Sequence, residues 1–375
     1  MPHDVYRTGA ILLAVFFAAT GAAAQDFTDL FAENDLSGWI EMGEPGAFEV
    51  HGGVLELSDP RNHPNWLRSE RSFENFVLEL EYQPLGWAEG GIYLHAPLHG
   101  DPVASGLKIH LRHDRTEVGP RSTGALYDMR APLVAANIPG DAWNHLRVEM
   151  AWPGLRVWMN DTLIQDVHME RDEALRHRLR SGHLGFEDTN TRFRFRNVRI
   201  RELPPAEQPW TDLFNGRDLS GWEAGGEAGW TVRDGVLEAG GGDGELRTEA
   251  TFGAFELQTY FRTSAHANGG IFYRLMDRSD GPSHYEVQIY NVPTATNPTG
   301  SIYGIVPAAD GGCRSGDWCL LQLISDGSYS RVLINGVTVA ESDRLVLPDT
   351  GRIAIQNHSQ GTIEYKHIRL KSLRE

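Results

Sequence analysis

The chain has 375 residues, with 51 acidic against 34 basic side chains and a formal charge of −17. That balance excludes nucleic acid and anionic membrane surfaces as partners, because both need clustered cations that displace counterions. A neutral ligand is easier to accommodate, and the 2 cysteines cannot by themselves build a structural zinc site.

Residues 1–24 read as a cleavable secretory signal. Arg7 is followed by an apolar run from Ala10 to Ala19 and then by Ala22-Ala23-Ala24. The run is too short for a spanning helix, and no later segment approaches the ~20 consecutive apolar residues a span needs. The expectation is an exported protein, periplasmic or secreted, mature from about Gln25.

The rest of the chain is written twice. Thr28-Asp29-Leu30-Phe31 and Asp35-Leu36-Ser37-Gly38-Trp39 return as Thr211-Asp212-Leu213-Phe214 and Asp218-Leu219-Ser220-Gly221-Trp222. Gly90-Gly91-Ile92-Tyr93 likewise matches Gly269-Gly270-Ile271-Phe272, and Thr123-Gly124-Ala125-Leu126-Tyr127 matches Thr299-Gly300-Ser301-Ile302-Tyr303. A period this long marks tandem domains, since solenoid repeats run roughly 20–50 residues. The expected division is 25–203, a stiff Pro-rich linker at 204–209, and 210–375.

Each half alternates apolar and polar residues with period two, as in Phe76-Val77-Leu78-Glu79-Leu80-Glu81-Tyr82 and Phe255-Glu256-Leu257-Gln258-Thr259-Tyr260-Phe261. Asp326-Gly327 and Asn335-Gly336 are hairpin dipeptides whose two central positions favour positive φ. One helix is expected, over Glu170 to Arg180. The arginines from Arg192 to Arg201 alternate with Phe193, Phe195, Val198 and Ile200, which reads as a strand with a solvated face. Many strands and almost no helix predict an all-β chain with one sandwich or jelly roll per half. Trp39, Trp222, Trp143 and Trp318 occupy matched places and read as packing residues, with sugar stacking the alternative. Cys313 and Cys319 are able to close a small disulfide loop in an exported protein.

The chemistry-bearing residues gather in the second half. Tyr285, Val287 and Ile289 point one way along a strand, and Glu286, Gln288 and Tyr290 the other. Arg352-Ile353-Ala354-Ile355-Gln356-Asn357-His358 alternates likewise and sets Gln356 and His358 on its polar side. Asn268 and Arg274 bracket a further strand. If these strands are neighbours, Arg274, Glu286, Gln288, Tyr303 and His358 line one surface. In the first half Lys108 and His110 stand for Glu286 and Gln288, and Glu187 and Thr189 for Gln356 and His358, so that face reads as a degenerate copy.

These blocks resemble the 3-keto-disaccharide hydrolase domain family. The carriers are Trp210 to Trp222, Asp234-Gly235-Val236-Leu237, Asn268-Gly269-Gly270-Ile271-Phe272, Tyr285-Glu286-Val287-Gln288-Ile289 and Thr299-Gly300-Ser301-Ile302-Tyr303-Gly304. The first half matches more loosely, with Leu107-Lys108-Ile109-His110 in place of the Tyr-Glu-Val-Gln pattern. The resemblance implies two tandem concanavalin A-like jelly rolls in an exported bacterial protein, and a carbohydrate substrate. It also implies a route in which a C3 ketone acidifies the C2 proton, the glycosidic oxygen leaves, and water adds back.

Such a route requires a base, a donor to the enolate oxygen and an acid for the leaving oxygen. Glu286 is the candidate base, Arg274 or Gln288 the enolate partner, and His358 or Tyr303 the acid. Tyr290, Asn268 and Gln356 are candidate substrate contacts. One carboxylate is legible on the face, where ordinary glycoside hydrolysis uses two. No cofactor is expected; a divalent metal shared by Glu286 and His358 is left open, since no spacing demands it. The readings from other classes are a lectin-like protein without turnover and a scaffold.

Overall fold

The computed structural model describes residues 26–374, apart from 32–33, 44, 58–64, 115–117, 206–208, 278–282, 293 and 360. The expected signal segment and the middle of the Pro-rich linker lie outside the described residues. Among the described residues no helix is long and apolar enough to cross a membrane.

Period-two patterning becomes four antiparallel sheets, two in each half. In the second half the larger sheet runs Val337–Ser342, Tyr329–Ile334, Cys319–Asp326, Phe255–Thr263, Ile363–Ser372, Val236–Gly240, Gly229–Arg233, with Thr211–Asp212 also on Ile363–Ser372. The smaller sheet runs Trp222–Gly226, Gly242–Thr248, Arg352–Ser359, Asn268–Met276, Ser283–Tyr290. The first half repeats both orders, its smaller sheet being Trp39–Met42, Asn65–Phe73, Gly182–Asp188, Glu89–Ala96, Leu107–Arg112. The chain is therefore all-β, two concanavalin A-like jelly-roll sandwiches of one topology.

Each sandwich closes on its own core. In the second, Tyr285, Val287 and Ile289 of the smaller sheet share a cluster with Leu321, Leu323, Phe261 and Tyr365 of the larger one. Trp39 and Trp222 are buried, and each indole N–H donates to a backbone carbonyl nine residues back, Leu30 (2.9 Å) and Leu213 (2.6 Å). Trp143 and Trp318 are half-buried under cations, Arg196 at 4.0 Å over the first and Lys366 at 4.2 Å over the second. Cys313 and Cys319 are joined as a disulfide, with Cα atoms 5.8 Å apart.

Two local expectations need correction. Glu170 to Arg180 is not a helix: a 3₁₀ turn spans Met169–Arg171, and the chain continues through single turns that send Leu175 into the core. A segment this short does not repay helix nucleation, and the pull of one core residue decides its path. Among the described residues the α-helix is Pro102–Ser105, capped by Asp101 (Val103 N–H to Oδ1, 2.8 Å). Asn335-Gly336 forms the expected turn with φ of +49° and +76°, whereas Asp326 ends its strand and Gly327-Ser328 makes the turn, with positive φ at Gly327 alone (+58°).

The halves touch. The Tyr260 hydroxyl on the larger sheet of the second half accepts the Leu98 N–H at 2.8 Å, and Leu179, Tyr260 and Leu320 pack together. The turn at Gly336 abuts Ala104 and Ser105, so a methyl group added there collides with the Ala104 carbonyl group, whose carbon lies at 2.6 Å, whereas at Gly327 it meets only the tip of Arg374 at 3.5 Å. Gly327→Ala should therefore cost only its left-handed backbone, about 1–2 kcal/mol. Gly336→Ala should add an overpacking cost of about 1–3 kcal/mol. Chemical denaturation of both variants checks this; equal losses would mean that the contact between the halves carries no strain.

Candidate active site

The smaller sheet of the second half turns its inner side chains into the core, and the other parity faces outward. Register places Gly270 level with both Gln288 and Gln356, and Phe272 level with Glu286 and Ala354. Glu286, Gln288, Tyr290, Asn268, Gln356 and His358 are thereby brought onto one outward face.

The centre of this face is a glycine. A side chain at Gly270 would collide with the Glu286 carboxylate and approach its Cγ at 2.8 Å. With only hydrogen there, Glu286 lies across the sheet instead of standing into water. Its carboxyl is half-buried with no cation of the described residues against it, and desolvation pushes its pKa up to about 7. Beside it the Gln288 amide donates to Asn268 Oδ1 at 2.6 Å. The Tyr303 N–H donates to the Glu286 carbonyl at 2.9 Å, which holds an exposed tyrosine (54% accessible) along the same strand edge. Tyr290 stands at the far end, its N–H bonded to Thr299 Oγ1 (2.8 Å), where the face adjoins a cavity of about 390 Å³. Asn291, Asp310, Cys313 and Arg314 also line that cavity, so the disulfide forms part of its wall; Glu286 lies outside it.

Three expectations change. Arg274 is not on the face. The strand carries a bulge between Phe272 and Leu275, and Arg274 sits within it at φ +53°. The bulge turns the guanidinium inward, 1% accessible, to donate to Ser325 Oγ (2.8 Å) and pair with Asp349 (3.1 Å). His95 occupies the matched place in the first half at φ +50°, equally buried, so the bulge belongs to the fold.

His358 is on the face but distant from Glu286. It lies two strands across and four residues along, roughly 16 Å between Cα atoms at ordinary strand spacings, and its Nδ1 pairs with Asp243 Oδ2 at 3.3 Å. One metal or one leaving oxygen cannot engage both. Among the described residues no group of three or more His, Cys, Asp or Glu is placed to hold a metal.

The face also carries more than one carboxylate. Register sets Asp243 beside His358 and Glu245 beside Gln356 on the strand Gly242–Thr248. Glu245 is bound by Arg247 and stands three strands across and two residues along from Glu286, about 16 Å between Cα atoms. His284, two residues before Glu286 and of the same parity, is a further member that sequence reasoning passes over. Its ring packs on Phe272 with centroids 4.0 Å apart, and burial lowers its pKa. Parity alone is enough to place His284 on the face; Gly242–Thr248, rich in glycine and charge, offers no strand signal.

The first half builds the same niche and fills it. Gly91 stands for Gly270, and a side chain there would meet Lys108 Cγ at 2.8 Å. Lys108 crosses the glycine to reach Glu187 (2.8 Å) and lies 4.0 Å over the Tyr127 ring. His110 is buried beside Glu89 (3.3 Å), and desolvation lowers its pKa to about 3.

With this geometry in view, the chain matches the 3-keto-alpha-glucoside-1,2-lyase-like domain family over residues 26–201 and again over 209–371, and it belongs to that family. Family membership ties it to carbohydrate chemistry. Among solved structures, a protein from Parabacteroides distasonis ATCC 8503 described as a candidate glycosyl hydrolase is 22% identical, covering 48% of this chain and 94% of its own, with a TM-score of 0.41. A β-glucanase of Bacillus licheniformis is 10% identical over 46% of this chain and 100% of its own (TM-score 0.35). A carbohydrate-binding module of Bacillus subtilis is 15% identical over 44% and 94% (TM-score 0.33). No curated protein matches.

The raised Glu286 pKa is itself measurable. A carboxyl that prefers its neutral form stabilises the fold below its ordinary pKa, and that contribution is lost as pH rises through about 7. Glu286→Gln should raise the thermal midpoint at pH 8, with a gain that shrinks towards pH 5. A gain independent of pH would show that the carboxylate is solvated.

Proposed function

We propose that the second half cleaves the glycosidic bond of 3-keto-glycosides by elimination and hydration, with Glu286 as the base. The observation that carries this reading is the Glu286 carboxyl over Gly270, held by burial at a pKa of about 7. A general base works best with its pKa near the operating pH.

In the first step Glu286 takes the proton from C2, and the electron pair forms the enolate with the C3 oxygen. The enolate collapses and breaks the C1–O bond; the leaving oxygen takes a proton, and the sugar is left with a C1–C2 double bond conjugated to the ketone. Water adds at C1 and gives up its extra proton to the group that protonated the leaving oxygen, and the proton held by Glu286 returns to C2. The products are a 3-keto sugar and an alcohol, with no net oxidation. The Gln288 amide beside Asn268 supports the enolate oxygen, and Tyr303, fixed next to Glu286, is the acid. Arg274 drops out of this role, and His358 with Asp243 binds the far end of the substrate. The cavity beyond Tyr290 receives the leaving group. The closed disulfide supports export, because such bonds persist in oxidising compartments.

Glu286→Gln should lower turnover of a 3-keto glycoside by about 10²–10⁴-fold with little change in binding. In the wild type kcat/KM should rise with pH around a midpoint near 7, as the base form appears. Normal turnover by Glu286→Gln sinks the mechanism. Sugar binding without product from any keto or plain glycoside would replace the enzyme by a lectin-like protein.

Lys108 stands where Glu286 stands but is spent on Glu187, so the first half does not repeat the chemistry. Lys108→Ala should leave turnover within about threefold, well short of the 10²–10⁴ expected of a base. A loss comparable with Glu286→Gln would mean that both faces act.

A further inference from the structure

The first half exposes a tryptophan that its fold does not require. Trp87 is 65% accessible, the most exposed aromatic among the large hydrophobics of the described residues. It precedes the strand Glu89–Ala96, and its repeat counterpart, at the turn before Asn268–Met276, is His266, an exposed polar residue. A sandwich of the same topology thus folds with no indole here. An indole left two-thirds in water, outside the core of its sandwich, is a surface on which a ligand can stack.

The ring is held for stacking. His113 packs against it with centroids 5.7 Å apart, and His113 is itself fixed by its N–H to the Ala88 carbonyl (2.9 Å) and by its own carbonyl to the Gly140 N–H (2.7 Å). The preceding turn is tied by the Gly86 N–H to Asp141 Oδ1 at 2.9 Å. Beside His113 lies a flat polar fork. Arg112 donates to both oxygens of Asp114 (2.9 and 3.3 Å) and reaches Glu89 (3.5 Å), and all three side chains remain partly open to solvent. An indole packed on His113, the residue between Arg112 and Asp114 in the chain, together with that oriented Arg–Asp pair, suits a pyranose ring, whose C–H face stacks on the indole while hydroxyls bond the carboxylate and guanidinium. One guanidinium shared by two carboxylates leaves the fork with an excess negative charge that repels anionic sugars, which favours a neutral one.

We infer that Trp87, with Arg112 and Asp114, forms a carbohydrate-binding site on the first half, separate from the Glu286 face and independent of whether that face is catalytic. The ligand is a neutral pyranoside.

Tryptophan fluorescence and calorimetric titration of the full chain test this, in the Glu286→Gln background so that no probe is consumed. Maltotetraose, cellotetraose, laminaritetraose and chitotetraose, each to about 10 mM, span weak to ordinary sugar affinities. At least one should bind. Trp87→Ala, an exposed change that should leave the unfolding midpoint in place, should weaken that binding by about 10-fold or more, and Trp87→Phe by less. Asp114→Asn should weaken it without altering the stacking signal. Binding that survives Trp87→Ala places the sugar elsewhere and overturns the proposal, as does absence of binding with all four probes. Trp87-dependent self-association in sedimentation without sugar binding also overturns it, because the indole would then serve a second copy of the chain.

Discussion

Each half exists because a five-stranded sheet and a larger sheet bury their inward faces on each other, with Val287 and Ile289 meeting Leu321 and Phe261. Strand periodicity leaves the remaining side chains no choice of side. The same burial that forces Tyr285, Val287 and Ile289 inward forces Glu286, Gln288 and Tyr290 outward. Only a bulge escapes this coupling, and the two that matter here, at His95 and Arg274, take buried polar side chains out of the face and tie them to the sandwich interior.

On that outward face, chemistry depends on what lies across one glycine. Gly91 and Gly270 leave equivalent troughs, and each is covered by a side chain from the neighbouring strand. A lysine across Gly91 finds Glu187 and becomes a satisfied ion pair. A glutamate across Gly270 finds no cation among the described residues and becomes a desolvated acid with a pKa of about 7. Two copies of one backbone thus differ in the electrostatics of one niche through the sign of a single charge, because burial penalises an unpaired charge and tolerates a paired one.

The contact between halves shows the same economy. Glu256, Gln258 and Gln322 face outward from the larger sheet of the second half, yet they are buried and bond one another or reach the first half, as Gln322 reaches the His177 carbonyl (3.4 Å). A face that period-two logic assigns to solvent is instead a polar interface, held by hydrogen bonds such as Leu98 to Tyr260. The halves are therefore copies in topology and partners in packing, which leaves Trp87 and the Glu286 face as separate open surfaces.

The duplicated blocks, the alternating strands and the Asn335-Gly336 turn were legible in the chain because they are set by local periodicity and local φ preferences. Membership of Glu286, Gln288, Tyr290, Gln356 and His358 in one outward set came from parity, which survives wherever a strand is regular. Parity cannot report distance. Which strands are neighbours decided that His358 stands far from Glu286 beside Asp243, and that Gly242–Thr248 adds Glu245 to the face. The bulge at Arg274 broke parity at one residue with no sign in composition. The segment from Glu170 to Arg180 had helical character but too little length to hold it against the pull of Leu175 on the core. The sequence by itself thus determined the fold class and the list of outward residues, since both rest on short-range alternation. Tertiary structure alone decided which of them meet, and which carboxyl is desolvated, because proximity and desolvation come from strand order and from what packs over each side chain.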